Sequence, residues 1–291
     1  MSGMYSVAGV TGHTGRVVAE TLLAKGLPTR VIVRDEKKGA SWKGRGAEVA
    51  VASVDDEAAL TRALSGTRGA YVLLPPDAVT TDFLGSRAKM IDAIGRAAVS
   101  AGLPHLVLLS STGAHIPKGH GPIGALYQAE RRFEALGIGT TFVRASYFLE
   151  NYGAGLPAAK NDGVLPSFLP ANATHAVVTT TDIGRTAAQA LLDGPKGRRV
   201  VELSGPADVT PADVAAALTE LLGRAVKVVE APLDAVVPTF MSFGMSQLMA
   251  ELYREMYASF IAGALGWEGK GERVRGSIGV KEGLRAMIMA K

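Results

Sequence analysis

A chain of 291 residues with 47% hydrophobic and 20% charged residues carries enough apolar material for a full core, and that balance excludes wholesale disorder. Its formal net charge of +4 is spread thinly, with short clusters such as Lys37-Lys38 and Arg198-Arg199; this suits small anionic molecules and leaves no footprint for nucleic acid. The absence of cysteine excludes disulfides, thiolate catalysis and cysteine-held metals, and no run approaches the roughly 18 apolar residues of a membrane span.

The first element is an apolar strand, Tyr5 to Ala8. It begins too close to the N-terminus to leave room for a signal peptide, so the expectation is a soluble, cytoplasmic protein. The strand runs into Gly9-Val10-Thr11-Gly12-His13-Thr14-Gly15, and a helical pattern through Val17, Val18, Thr21 and Leu22 leaves it. Strand, glycine-rich turn and helix in that order form the context of a dinucleotide-binding fingerprint. Gly9 permits the sharp turn, Gly12 lets a pyrophosphate approach the backbone, and Gly15 lets helix and sheet pack closely. The free N–H groups of Thr11 to Gly15 then face the phosphates. The backbone N–H of His13 matters more here than its ring. The spacing is Gly-x-x-Gly-x-x-Gly, not the Gly-x-Gly-x-x-Gly of ordinary dehydrogenases.

The second strand, Thr29 to Val33, ends at Arg34. An acidic residue at this place serves the ribose hydroxyls of NAD, whereas Arg suits the 2′-phosphate of NADP. NADP(H) is therefore the expected cofactor, with NAD(H) open, and the competing reading of Arg34 is a solvated strand end neutralised by Asp35. Glu48 to Ala52 reads as a third strand, and Ser53 and Val54 after it are candidates for the adenine side. Glu57 to Leu64 is helical. Gly69 to Leu74 is a fourth strand closed by Pro75-Pro76, with Leu74 and Pro75 facing the cofactor. Phe83 to Ala101 is a long helix. His105 to Leu109 is a fifth strand ending in Ser110-Ser111-Thr112, the two serines being further cofactor contacts. Ile123 to Leu136 is helical and Thr140 to Arg144 is a sixth strand. Strands alternating with helices imply a doubly wound parallel sheet of Rossmann type.

Beyond Arg144 the rhythm changes. Residues 145 to 175 show no sustained period and read as a long irregular segment starting where ligands bind in such folds. Asp182 is expected to cap a helix to Leu192, and Val200 to Leu203 is a strand. Thr210-Pro211 opens another helix as N-cap and N1. Lys227 to Glu230 is a strand, and residues 239 to 264 form one apolar helical stretch, open to reading as core, lid or oligomer surface. The division expected is a dinucleotide-binding domain over 1–150 and a mixed substrate-pocket lobe over 151–291, some of whose segments return to the sheet.

The glycine turn, Arg34, Leu73-Leu74-Pro75-Pro76, Gly137-Ile138, Thr141-Phe142-Val143-Arg144, Phe148-x-Glu150-Asn151-Tyr152 and Asp182-Ile183-Gly184 together resemble the NmrA-like family, an atypical branch of the short-chain dehydrogenase/reductases. The resemblance implies NADP(H) binding and a small C-terminal lobe over a substrate pocket. It implies either reduction of quinones and dyes or non-catalytic redox sensing through a protein partner. The wider superfamily places Lys four residues after a catalytic Tyr. Here Arg131 follows Tyr127, and Leu126 stands where related reductases carry His. Tyr127 is open to two readings, proton donor or packed helix residue. A quinone or cationic dye needs chiefly hydride delivery, with the proton available from water. Tyr147, Phe148, Asn151 and Tyr152 are then the expected pocket, Asn151 either binding an acceptor oxygen or ordering its loop. Reduction of a carbonyl or imine is a further alternative and requires a donor such as Tyr127. His115 and His120 read as loop residues, since no set of ligands for a metal stands near them. A small-molecule electron acceptor is the expected partner, and a homodimer is left open.

Overall fold

The apolar runs of this chain are too uniform for a sheet wetted on one side, and the central strands they form are covered on both faces. The computed structural model describes residues 3–290. In chain order its first half runs β1 (Met4–Ala8), α1 (His13–Ala24), β2 (Thr29–Val33), α2 (Ala40–Lys43), β3 (Glu48–Val51), α3 (Glu57–Leu64), β4 (Thr67–Val72), α4 (Phe83–Ser100), β5 (His105–Ser111), α5 (Ile123–Glu134) and β6 (Gly139–Ala145). The second half runs β7 (Tyr147–Phe148), α6 (Leu156–Asp162), β8 (Val164–Ser167), β9 (His175–Val178), α7 (Thr180–Asp193), β10 (Arg198–Ser204), β11 (Asp208–Val209), α8 (Pro211–Leu222), β12 (Lys227–Glu230), α9 (Val236–Ser242), α10 (Gln247–Ile261), β13 (Glu272–Arg275) and α11 (Val280–Met289).

Eight strands form one parallel sheet in the order β13-β10-β6-β5-β4-β1-β2-β3. The fold is thus the doubly wound α/β class expected. The chain winds outward from β1 to β3, then returns to β4 and winds the other way. The order reverses between β1 and β4, and all the carboxyl ends open on one edge. That crevice is where ligands bind in such sheets. Val7, Val31, Tyr71, Val107 and Val143 pack on one face with Val18 and Leu22 of α1 and Ile183 and Ala187 of α7. Ile32, Val72, Leu106, Leu108 and Phe142 pack on the other with Leu60, Ile91, Ile94 and Phe133. A third core of Leu149, Leu156, Leu165, Val214, Leu218 and Leu284 stands beyond the sheet. Two small sheets, β11-β9-β7 and β12-β8, belong to that outlying region. No helix among the described residues is long and apolar enough to cross a membrane.

Three expectations need correction. The 145–175 segment is not irregular throughout: it holds β7, a 3-10 turn over Leu149–Gly155, α6 and β8. These elements are too short for a period to show in sequence, and Gly163 in the left-handed region (φ 69°) ends α6 after seven residues. Helix α7 is capped by Thr179, whose hydroxyl accepts from Asp182 N at 3.1 Å. Asp182 instead sits buried in the first turn and accepts from Ile278 N at 3.0 Å, fastening the C-terminal segment. The apolar stretch from 239 is two helices, broken where Gly244 takes φ +86° and Ser246 starts α10 as its N-cap.

Candidate cofactor and acceptor site

The glycine turn lies at the mouth of the crevice. Gly9 has φ +71°, and Gly12 N donates to Gly9 O at 2.9 Å, closing the turn. A Cβ on Gly15 would come within 2.5 Å of the carbonyls of Ala8 and Gly9, so only glycine lets α1 start this close to β1. A Cβ on Gly12 would meet nothing but Gly9 O at 3.4 Å. Gly12 therefore borders open space, and Thr11, Gly12 and His13 are exposed. Helix α1 begins at His13 with no side-chain cap on Gly12, so the first N–H groups are left for a ligand. Thr14 is buried and turned inward, its hydroxyl accepting from Tyr71 on β4 at 2.8 Å. Burial holds the Tyr71 phenol well above its ordinary pKa, which keeps it a donor.

Arg34 extends from β2 into solvent. Among the described residues no ion pair reaches it: Asp35 accepts from Lys37 N at 2.9 Å, and Glu36 pairs with Lys43 at 3.1 Å. Ser53 is half-buried after β3, while Val54 packs into the sheet core beside Ala52 and Leu60. Leu74 and Pro75 follow β4 at the crevice, half-buried. Pro75 O accepts from Arg87 Nη1 at 2.5 Å, a buried guanidinium on α4 not singled out by sequence.

At the end of β5 the structure departs from the superfamily arrangement. Ser110 is buried and its hydroxyl donates to Glu130 Oε1 at 2.6 Å. Glu130 also takes a two-pronged contact from Arg144, Nε to Oε1 at 2.9 Å and Nη2 to Oε2 at 2.6 Å. Arg144 Nη1 reaches Glu268 at 2.7 Å. Ser110 thus offers no hydroxyl to a ligand, whereas Ser111 is half-buried at the crevice. Tyr127 is half-buried on α5. Arg131 points to Glu134, 3.0 Å away, so it does not stand in for the missing Lys beside Tyr127. Glu268 had no visible signal in the sequence.

The pocket residues after β6 divide. Asn151 is exposed and Tyr147 half-buried. The Tyr147 hydroxyl faces Asn151 and Tyr257, and burial raises its pKa. Phe148 packs against the sheet core, and Tyr152 is buried in the outlying core, so neither is an open wall. The Tyr152 hydroxyl is 3.1 Å from His175 Nε2, and His175 Nδ1 is 3.0 Å from Ala173 O. Burial lowers the His175 pKa and keeps the ring neutral, so its Nδ1–H donates to Ala173 and its Nε2 accepts from Tyr152. Glu150 accepts from Thr180 N at 2.8 Å and Thr180 Oγ1 at 2.7 Å, locking this segment to the start of α7. Around Tyr147 stand residues that sequence reading left unassigned: His175 at 5.5 Å between ring centroids and Phe260 of α10 at 6.0 Å. Tyr257 and Phe240 extend the cluster to Phe168 at 5.3 and 5.8 Å. The α9–α10 pair therefore covers the region around Tyr147 and Phe168. His120 is a structural contact, 2.6 Å from Ser259 Oγ on α10.

A doubly wound parallel sheet with a glycine turn open at its switch point defines a dinucleotide-binding class of protein. Residues 2–263 match the model of the NmrA-like family. The chain belongs to that family. It is 28% identical over 268 residues to an NAD(P)H azoreductase of Xenophilus azovorans, covering 90% of each chain. It is 30% identical over 231 residues to quinone oxidoreductase 2 of Escherichia coli strain K12, covering 77% of this chain and 76% of that one. Among solved structures, an NADPH-dependent quinone oxidoreductase from Escherichia coli in complex with NADPH superposes with a TM-score of 0.81 at 26% identity, over 98% of this chain and all of the other.

Proposed function

We propose that this protein is an NADPH-dependent reductase that transfers hydride to a small flat acceptor such as a quinone. The carrying observation is a juxtaposition: a glycine turn bordering open space and an aromatic wall lie on the same edge of one sheet. The residues present fit the cofactor. Gly12 leaves room that a Cβ would fill, and the N–H groups of His13 to Gly15 hold phosphate. Arg34, free of its neighbouring carboxylates, takes the 2′-phosphate. Ser53, Leu74, Pro75 and Ser111 border the remainder of the cleft.

When bound, the reduced nicotinamide supplies the hydride. The protein's part is to place the acceptor ring against Tyr147, Tyr257 and Phe260, where offset and edge contacts favour a planar aromatic, and to exclude alternatives by shape. Among the described residues no tyrosine–lysine pair stands ready as an acid, and Ser110 is committed to Glu130. The proton therefore comes from solvent, reached past the exposed Asn151. Quinones suit this division, since hydride positioning supplies most of the rate. The named relatives are reductases of quinones and azo compounds, which supports an enzyme. The rival reading, a non-catalytic sensor acting through a protein partner, has no relative behind it among them. Oxidation of NADPH, followed by its near-ultraviolet absorbance against a panel of quinones, azo dyes and carbonyls, tests the proposal. Turnover with quinones and none with carbonyls is expected. Tight NADPH binding with no turnover on any acceptor would overturn it.

A further inference from the structure

Ser246 joins two halves of the site that the sheet does not connect. Its hydroxyl accepts from Met249 N at 3.2 Å, capping α10, and donates to Thr80 O at 2.7 Å. Its backbone N donates to Ala78 O at 2.9 Å. The 74–82 segment so engaged is the one whose Leu74 and Pro75 border the cofactor cleft. Leu74 also packs with Met245, Leu248 and Met249 in a small core around Phe83 and Ala125, and Arg87 pins the segment at Pro75 O. Further along α10 stand Tyr257, tilted against Phe168, and Phe260, in edge contact with Tyr147 and His175. One rigid helix of 15 residues therefore carries the cofactor-side loop at its start and the acceptor wall near its end. The hinge end is unburdened: Gly244 adopts φ +86° and Phe243 is 69% exposed.

We propose that Ser246 is a positioning residue of the acceptor site, strapping α10 to the cofactor-side loop so that a filled cofactor cleft sets where Tyr257 and Phe260 stand. The inference rests on the reading of the cleft as an NADPH site. The strap is built from neutral hydrogen bonds, each shifting an equilibrium by only about two- to tenfold. It is firm enough to bias the lid and weak enough to release it for acceptor exchange. Cofactor binding at the loop and lid order are then linked, and each favours the other.

Three variants separate the strap from the cap. Ser246→Asp retains an N-cap acceptor for Met249 N and loses the donor to Thr80 O. Ser246→Thr retains both, and Ser246→Ala loses both. Hydrogen exchange is followed with and without NADP+, alongside steady-state kinetics with one quinone. In the wild-type chain NADP+ is expected to slow exchange over 9–16 and over 236–261. In Ser246→Asp the slowing over 9–16 remains, that over 236–261 falls about fivefold, and the quinone KM rises about fivefold, while NADPH binding weakens by no more than that same factor. Ser246→Thr restores both. Wild-type protection over 9–16 without any over 236–261 would overturn the strap alone. So would Ser246→Asp or Ser246→Ala behaving as wild type, or Ser246→Thr behaving as Ser246→Asp. No protection over 9–16 in the wild-type chain would overturn the cofactor reading and the strap with it.

Discussion

The hydroxyl of Ser110 donates to the carboxylate of Glu130 at 2.6 Å, out of contact with water, with Arg144 closing on the same carboxylate. A serine expected among the cofactor contacts is thereby a strut between β5 and α5. Removing one partner of such a pair leaves a buried charge and costs about 3–5 kcal/mol. Glu130→Gln leaves Arg144 paired with Glu268 and is expected to lower stability by the lower end of that range, measured as ΔG from urea unfolding. A Ser110→Ala variant should lose only about 1–3 kcal/mol and retain turnover. Loss of turnover in folded Ser110→Ala protein would return the serine to the cofactor site.

Gly12→Val is a clean test of the turn. The added Cβ meets only Gly9 O at 3.4 Å and φ is −98°, so the variant should fold. Its branched side chain would fill the space proposed for the pyrophosphate, and calorimetric titration should show no NADPH binding. Near-normal affinity would make the turn structural only.

Arg34→Ala separates the two dinucleotides. Loss of a hydrogen-bonded charge on the 2′-phosphate should weaken NADPH by about 1.5–3 kcal/mol and leave NADH nearly unchanged. Equal losses for both, measured by titration, would remove Arg34 from the phosphate.

Tyr127→Phe should lower quinone turnover by much less than tenfold. A positioned acid contributes about 10²- to 10⁴-fold, and Arg131 is engaged with Glu134 instead of the phenol. Tyr147→Ala and Asn151→Ala should raise the quinone KM. Phe148→Ala is a weaker probe of binding, because Phe148 packs against the sheet core and its loss reads out as stability. A hundredfold fall in kcat for folded Tyr127→Phe would restore an acid–base mechanism.

Acid should destabilise the fold through His105. The ring is buried, with Nε2 at 2.9 Å from Thr141 Oγ1, and burial lowers its pKa from 6.5 to about 4. The unfolded chain takes up the proton first as pH falls. The stability this neutral ring contributes is therefore full above pH 6.5 and is lost on the way to pH 4, up to about 3 kcal/mol. His105→Gln should show a shallower fall of Tm over that range. An unchanged slope would place the proton uptake elsewhere.

The sequence by itself determined the sheet. Its central apolar runs are continuous because inner parallel strands are buried on both faces, and the strand Thr29–Val33 and the helix Glu57–Leu64 fall where the sequence pattern places them. The glycine turn was equally legible, because each glycine answers a local steric demand: the turn at Gly9 and the close helix–strand approach at Gly15. Tertiary structure alone decided which polar side chains face a ligand. Ser110 and Tyr152 look like site residues by position, yet each is taken by a partner brought from elsewhere, Glu130 by α5 and His175 by β9. The wall opposite Tyr147 comes from Tyr257 and Phe260, more than a hundred residues on, and Arg144 finds Glu268 across 124 residues. Local propensity and hydrophobic period report on neighbours within a turn or a strand. They carry nothing about pairs that meet only when the sheet closes and α10 folds back over its edge.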